Sequence, residues 1–120
     1  MAKTIAFVEK AFERAREGRK SVTVKDGNLT ISFEGNTLTV QHFAHVILEV
    51  DFDKAVSGKE LWEGITRWHI QSITDANYIG TILSKLWQSY NFRTGYRPVN
   101  GGGYFEVENG EEWVTVGGEY

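Results

Sequence analysis

The sequence predicts an α+β domain: an antiparallel sheet of about five strands, made of a three-stranded N-terminal meander and a C-terminal hairpin, with three to four helices packed on it. Three observations carry this reading. Residues 20–41 alternate apolar and polar side chains across two glycine-containing turns, Asn109-Gly110 lies between two further alternating runs, and the stretches between repeat their apolar residues at helical spacing. At 120 residues, 41% of them apolar, the chain reads as a single domain over residues 1–120, large enough to bury one core without a staple.

The elements follow in order. Ile5, Val8, Phe12 and Ala15 recur at helical spacing over residues 3–17, and Gly18 is a natural terminator. Val22/Val24, Leu29/Ile31/Phe33 and Leu38/Val40 then alternate with Thr, Ser and Lys across Asp26-Gly27 and Gly35-Asn36, which predicts the meander. Residues 41–50 read two ways. Alternation continues through His42, Ala44, Val46, Leu48 and Val50, but Phe43 and Ile47 break the polar face, so the stretch is a short helix over 41–49 or a bent strand end. Ser57-Gly58-Lys59-Glu60 has the spacing of a capping box and predicts a helix carrying Leu61, Ile65 and Trp68 inward. Thr74 or Asp75 caps another, with Ile79, Ile82, Leu83, Leu86 and Tyr90 on one stripe.

The closing hairpin reports its own facing. A turn at Asn109-Gly110 pairs Glu108 with Glu111 and Val107 with Glu112, which puts Phe105, Val107, Val114 and Val116 on one face and Tyr104, Glu106 and Trp113 on the other. A lone hairpin is not stable in water, so it is expected to join the meander or a neighbouring chain.

Composition narrows the function classes. There is no cysteine, hence no disulfide framework, no thiolate metal site and no cysteine nucleophile, and the cytoplasm is the expected compartment. No signal-peptide pattern and no bilayer-length apolar run is present, so a soluble protein with no membrane partner is expected. Charge is zoned: seven basic and three acidic side chains in residues 1–25, two and seven in 26–65, four and one in 66–100, none and five in 101–120. A general nucleic-acid binder needs a broad basic surface, which these cancelling blocks do not provide. They suit like chains docking zone to zone, and a homodimer or higher homo-oligomer burying Trp62 or Trp113 is expected.

Catalytic motifs are missing. His42 and His45 on a helix would share a face and, with His69 or a carboxylate from Glu49, Asp51 and Asp53, could hold zinc; on one strand they would face apart. No HExxH pattern accompanies them, and neither a metal nor a cofactor is assigned. Asp51 and Asp53 fit paired acids in a hydrolase or, more simply, capping at a loop entrance, and no serine sits in a G-x-S-x-G elbow. No catalytic residue is assigned.

The stretch NFRTGYRPVNGGGYF, residues 91–105, is the candidate site. Arg93 and Arg97 offer forked donors to a phosphate or carboxylate, Trp87, Phe92, Tyr96, Tyr104 and Phe105 offer planar surfaces, Gly101-Gly102-Gly103 permits close backbone approach, and Asn100 is counted with them; the alternative is a flexible linker. It is neither a Walker loop nor a dinucleotide fingerprint. Four tryptophans are many for this length; Trp68 fits a core stripe, and Trp62, Trp87 and Trp113 lie at the margins of theirs. The expected function is therefore a non-catalytic binding or sequestering protein for a small anionic or nucleotide-like ligand, of the compact inhibitor type that phages and mobile elements use. The alternatives are a protein–protein inhibitor or interaction module acting through exposed tryptophans, and a small metal- or His/Asp-dependent hydrolase.

Overall fold

The computed structural model of the chain describes residues 6, 9, 10, 13, 21–58, 60–97, 99 and 102–119. The helix expected over residues 3–17 lies outside them except at Ala6, Glu9, Lys10 and Glu13, which are helical. Glu9 Oε1 accepts from Lys85 Nζ at 2.9 Å.

Five strands succeed one another as an antiparallel meander: β1 (Ser21–Asp26), β2 (Leu29–Glu34), β3 (Thr37–His42), β4 (His45–Asp51) and β5 (Ile65–Trp68). A short helix α1 (Phe52–Ser57) and a 3-10 turn (Leu61–Gly64) bridge β4 to β5. Helix α2 (Ile73–Leu86) leads into a second antiparallel sheet of β6 (Phe92–Arg97), β7 (Gly102–Asn109) and β8 (Glu112–Thr115). The chain is thus mostly antiparallel sheet, and the expectation of one sheet under three to four helices is wrong. Apart from the helical residues at positions 6, 9, 10 and 13, the described residues form two α-helices, one of them long, and the C-terminal hairpin pairs with β6 instead of joining the meander.

Each departure has a local cause. Ser57 closes α1 instead of opening a helix, and Glu60, which precedes the 3-10 turn, makes no side-chain cap bond. Ile65 and Trp68 pair instead with Val50 and Leu48 of β4, so ladder hydrogen bonds and β-branched Ile65 and Thr66 override the capping signal. Residues 45–51 are strand, not helix. The β3–β4 register shifts between Val40 and Gln41, which face Leu48 and Val46, so Ile47 is an extra residue and both Ile47 and Leu48 are buried. That bulge is what broke the alternation. The N-cap of α2 is Ser72, whose hydroxyl accepts from Asp75 N at 3.2 Å, and not Thr74 or Asp75. In the last hairpin the loop is Gly110-Glu111, so Asn109 faces Glu112 and Val107 faces Val114. The expected facing holds with the turn one residue later.

One core joins both sheets. It takes Val24, Ile31, Val40 and Leu48 from the meander, Ile79, Ile82 and Leu83 from α2, and Phe105 and Val107 from β7. Trp68, 1% exposed, stands where the sheets meet. Its backbone N–H donates to Gly118 O and its indole Nε1 to Val116 O, both at 3.0 Å, and its ring meets Phe105 edge-on at 5.4 Å. The segment after β8 thereby runs along the outer edge of β5, in a parallel bridge between Trp68 and Glu119. Among the described residues no helix is long and apolar enough to cross a membrane.

Candidate functional site

The stretch expected to be a connector is a hairpin. β6 pairs with β7 from Phe92↔Val107 to Arg97↔Gly102, and period-two alternation sends its side chains to opposite faces. Arg93, Gly95 and Arg97 face outward with Tyr104, Glu106, Glu108 and Trp113, whereas Phe92, Thr94 and Tyr96 face α2 and the core. Thr94 Oγ1 donates to Ala76 O at 2.8 Å, which fastens β6 to the helix.

Outward, two cation–aromatic stacks lie side by side. The Arg93 guanidinium sits over the Trp113 ring, 4.3 Å from its centroid, while Nε donates to Glu106 Oε1 at 2.7 Å. The Arg97 guanidinium sits 4.5 Å over Tyr104 and has no carboxylate partner among the described residues. Tyr104 can lie flat because Gly95 is opposite it: a Cβ at that position would overlap the phenol ring. Arg93 and Arg97 are four residues apart on one strand, about 13 Å at ~3.3 Å per residue, too far to fork one phosphate together.

The candidate residues therefore divide. Arg93, Arg97 and Tyr104 share the outward face. Trp87, only 8% exposed, packs against Phe92 at 6.4 Å, and Phe92 in turn meets Phe105 at 5.9 Å, so both serve the core. Tyr96 is half-buried on the inner side, and Asn100 lies outside the described residues. Of the tryptophans expected at margins, Trp87 is buried, while Trp62 and Trp113 are half-buried and Trp62 meets Tyr90 edge-on at 5.3 Å.

A second feature lies at the β3–β4 hairpin tip. A cleft of about 220 Å³ opens there, lined by His42, Phe43, His45, Gln71, Ser72 and Asp75. His42 Nδ1 meets Asp75 Oδ1 at 2.5 Å, and Asp75 Oδ2 accepts from Gln71 N at 2.9 Å. Tyr78 meets the imidazole edge-on at 5.2 Å. No family model matches the chain, and no curated protein or solved structure matches it. Geometry alone thus assigns roles.

The carboxylates expected to serve a histidine are occupied elsewhere. Glu49 accepts from Thr66 Oγ1 at 2.7 Å and pairs with Arg67, Asp51 caps α1, and Asp53 takes Asn36 Nδ2 at 3.0 Å. Among the described residues no three His, Asp or Glu side chains gather into a metal cage. Ser72 caps α2 and makes no hydrogen bond to His42, so Ser72, His42 and Asp75 share the cleft without forming a nucleophile–base pair.

Phe43 is the feature that sequence reading missed, and the signal was available. Among the described residues, three two-residue loops begin with glycine at positive φ: Gly27 (60°), Gly35 (59°) and Gly110 (66°). Phe43 holds that same loop position at φ 56° and is 63% exposed. A side chain there costs about 1–2 kcal/mol. Phe43→Gly is expected to relieve that strain, less the ~0.4–1 kcal/mol of unfolded-state entropy that glycine adds, and so to raise stability by up to about 1 kcal/mol in urea unfolding. A loss of stability would instead show that the ring's contact with His42, at 4.6 Å, outweighs the strain.

Proposed function

We propose that this protein is a non-catalytic recognition module that docks a protein partner on the outward face of the three-stranded sheet. The observation carrying this reading is the pair of guanidinium–aromatic stacks, Arg93 on Trp113 and Arg97 on Tyr104, side by side on a solvent-facing sheet. Arg, Trp and Tyr are the residue types that dominate interface energetics, because each buries a large planar surface while keeping a polar group to pair. The face balances its charges, Arg93 and Arg97 against Glu106 and Glu108, and a mixed face of this kind favours a mixed protein surface over a polyanion. Arg97, with no carboxylate partner among the described residues, is the position for an acidic side chain of the partner.

A photo-crosslinking residue placed at Thr115, exposed on the same face, tests this. In extracts of the source cells it is expected to trap a discrete protein, and the same probe in an Arg97→Ala, Trp113→Ala background to trap none. A second copy of this chain as the trapped species would make the module a homo-oligomer. Unchanged trapping in the double variant, or trapping of a small anionic or nucleotide-like ligand alone, contradicts the reading.

A further inference from the structure

We infer that the tip of the β3–β4 hairpin binds a divalent transition-metal cation of the zinc type through the imidazoles of His42 and His45. The register places these two residues directly opposite each other across the Phe43-Ala44 loop, so their side chains leave the same face of the hairpin. Opposed Cβ atoms lie about 4.5–5.5 Å apart, a span that two imidazoles close around one ion at ~2.0–2.1 Å from each nitrogen. Both histidines line one cleft of about 220 Å³, room for an ion and several waters at ~30 Å³ each.

The decisive detail is the partner of His42. Its Nδ1 is held by Asp75, 5% exposed and itself fixed by the Gln71 amide, which leaves Nε2 as the nitrogen for a ligand. A carboxylate behind an imidazole is how metal-binding histidines are oriented and made more basic. Among the described residues Asp75 is the one acidic side chain lining the cleft and no lysine or arginine lines it, so its charge favours a cation there over an anion. His45 is exposed and its imidazole makes no side-chain hydrogen bond among the described residues, so it can turn between staggered rotamers to complete the pair. Water fills the remaining positions, with Gln71 and Ser72 on the cleft wall to hold it. Phe43 supplies an apolar lip beside the imidazole.

Titration calorimetry of the full chain with zinc chloride, in a buffer that does not chelate, tests the inference. One ion per chain is expected. His45→Ala, an exposed change that leaves the fold intact, should weaken binding at least tenfold, and Asp75→Asn should weaken it 10–100-fold through the orientation of His42. His69→Ala should leave it unchanged. Absence of saturable zinc binding by the parent overturns the inference, as does a His45→Ala variant that binds as the parent does or a loss of binding confined to His69→Ala. If Asp75→Asn does not fold, His45→Ala still decides.

Discussion

Trp68→Ala is expected to lower the unfolding free energy by about 3–5 kcal/mol, the range for deleting a fully buried aromatic side chain. The effect should lie at the upper end because the indole does more than fill space. Its Nε1 holds Val116 O and its ring meets Phe105, so it ties the meander to the strand that carries the outward-facing stacks. Trp68→Phe keeps much of the volume and strands the Val116 carbonyl, a loss of about 1–3 kcal/mol. Urea unfolding checks both magnitudes. Hydrogen exchange checks the mechanism: in either variant the amides of β8, Glu112–Thr115, should lose protection before those of β2 and β3. Equal loss across both sheets would show that Trp68 contributes volume alone.

The meander was legible because β1 to β3 carry strict alternation and glycine-led loops, two local signals that agree with the tertiary answer. β4 was not, since its preceding loop begins with Phe43 where glycine was expected and its bulge at Ile47 disturbs the period. The capping box at Ser57 to Glu60 misled for a different reason. A favourable local cap is worth about 1 kcal/mol, and pairing Ile65–Trp68 with β4 buries Ile65 and Trp68 besides completing the sheet. β6 was hidden in plain pattern: Phe92, Thr94 and Tyr96 alternate with Arg93, Gly95 and Arg97, but glycine, proline and the following glycines read as a loop.

The site was legible in the same measure. Tyr104, Glu106 and Trp113 fell together from hairpin parity, which survives a one-residue error in the turn. Arg93 and Arg97 joined them only once β6 was a strand, and that same assignment turned Phe92 and Tyr96 inward. The His42–Asp75 pair joins positions 33 apart in the chain through the docking of α2 on the hairpin tip, a contact that no local pattern announces.

The second large effect concerns recognition itself. Arg97 on β6 and Trp113 on β8 lie on the outward face of the two strands that flank β7, and each combines a planar surface with a polar group. Truncated hot-spot residues of these types cost at least ~2 kcal/mol each at a docked interface. Neither supports the core, so the double variant should keep its fold and unfold in urea within about 1 kcal/mol of the parent. The most direct measurement is the equilibrium affinity of the crosslinked partner for the parent and for Arg97→Ala, Trp113→Ala, by calorimetry on folded protein. Weakening by at least about a hundredfold, near 2.7 kcal/mol, is the predicted result. Equal affinity for both proteins would contradict the outward face of β6–β8 as the recognition surface.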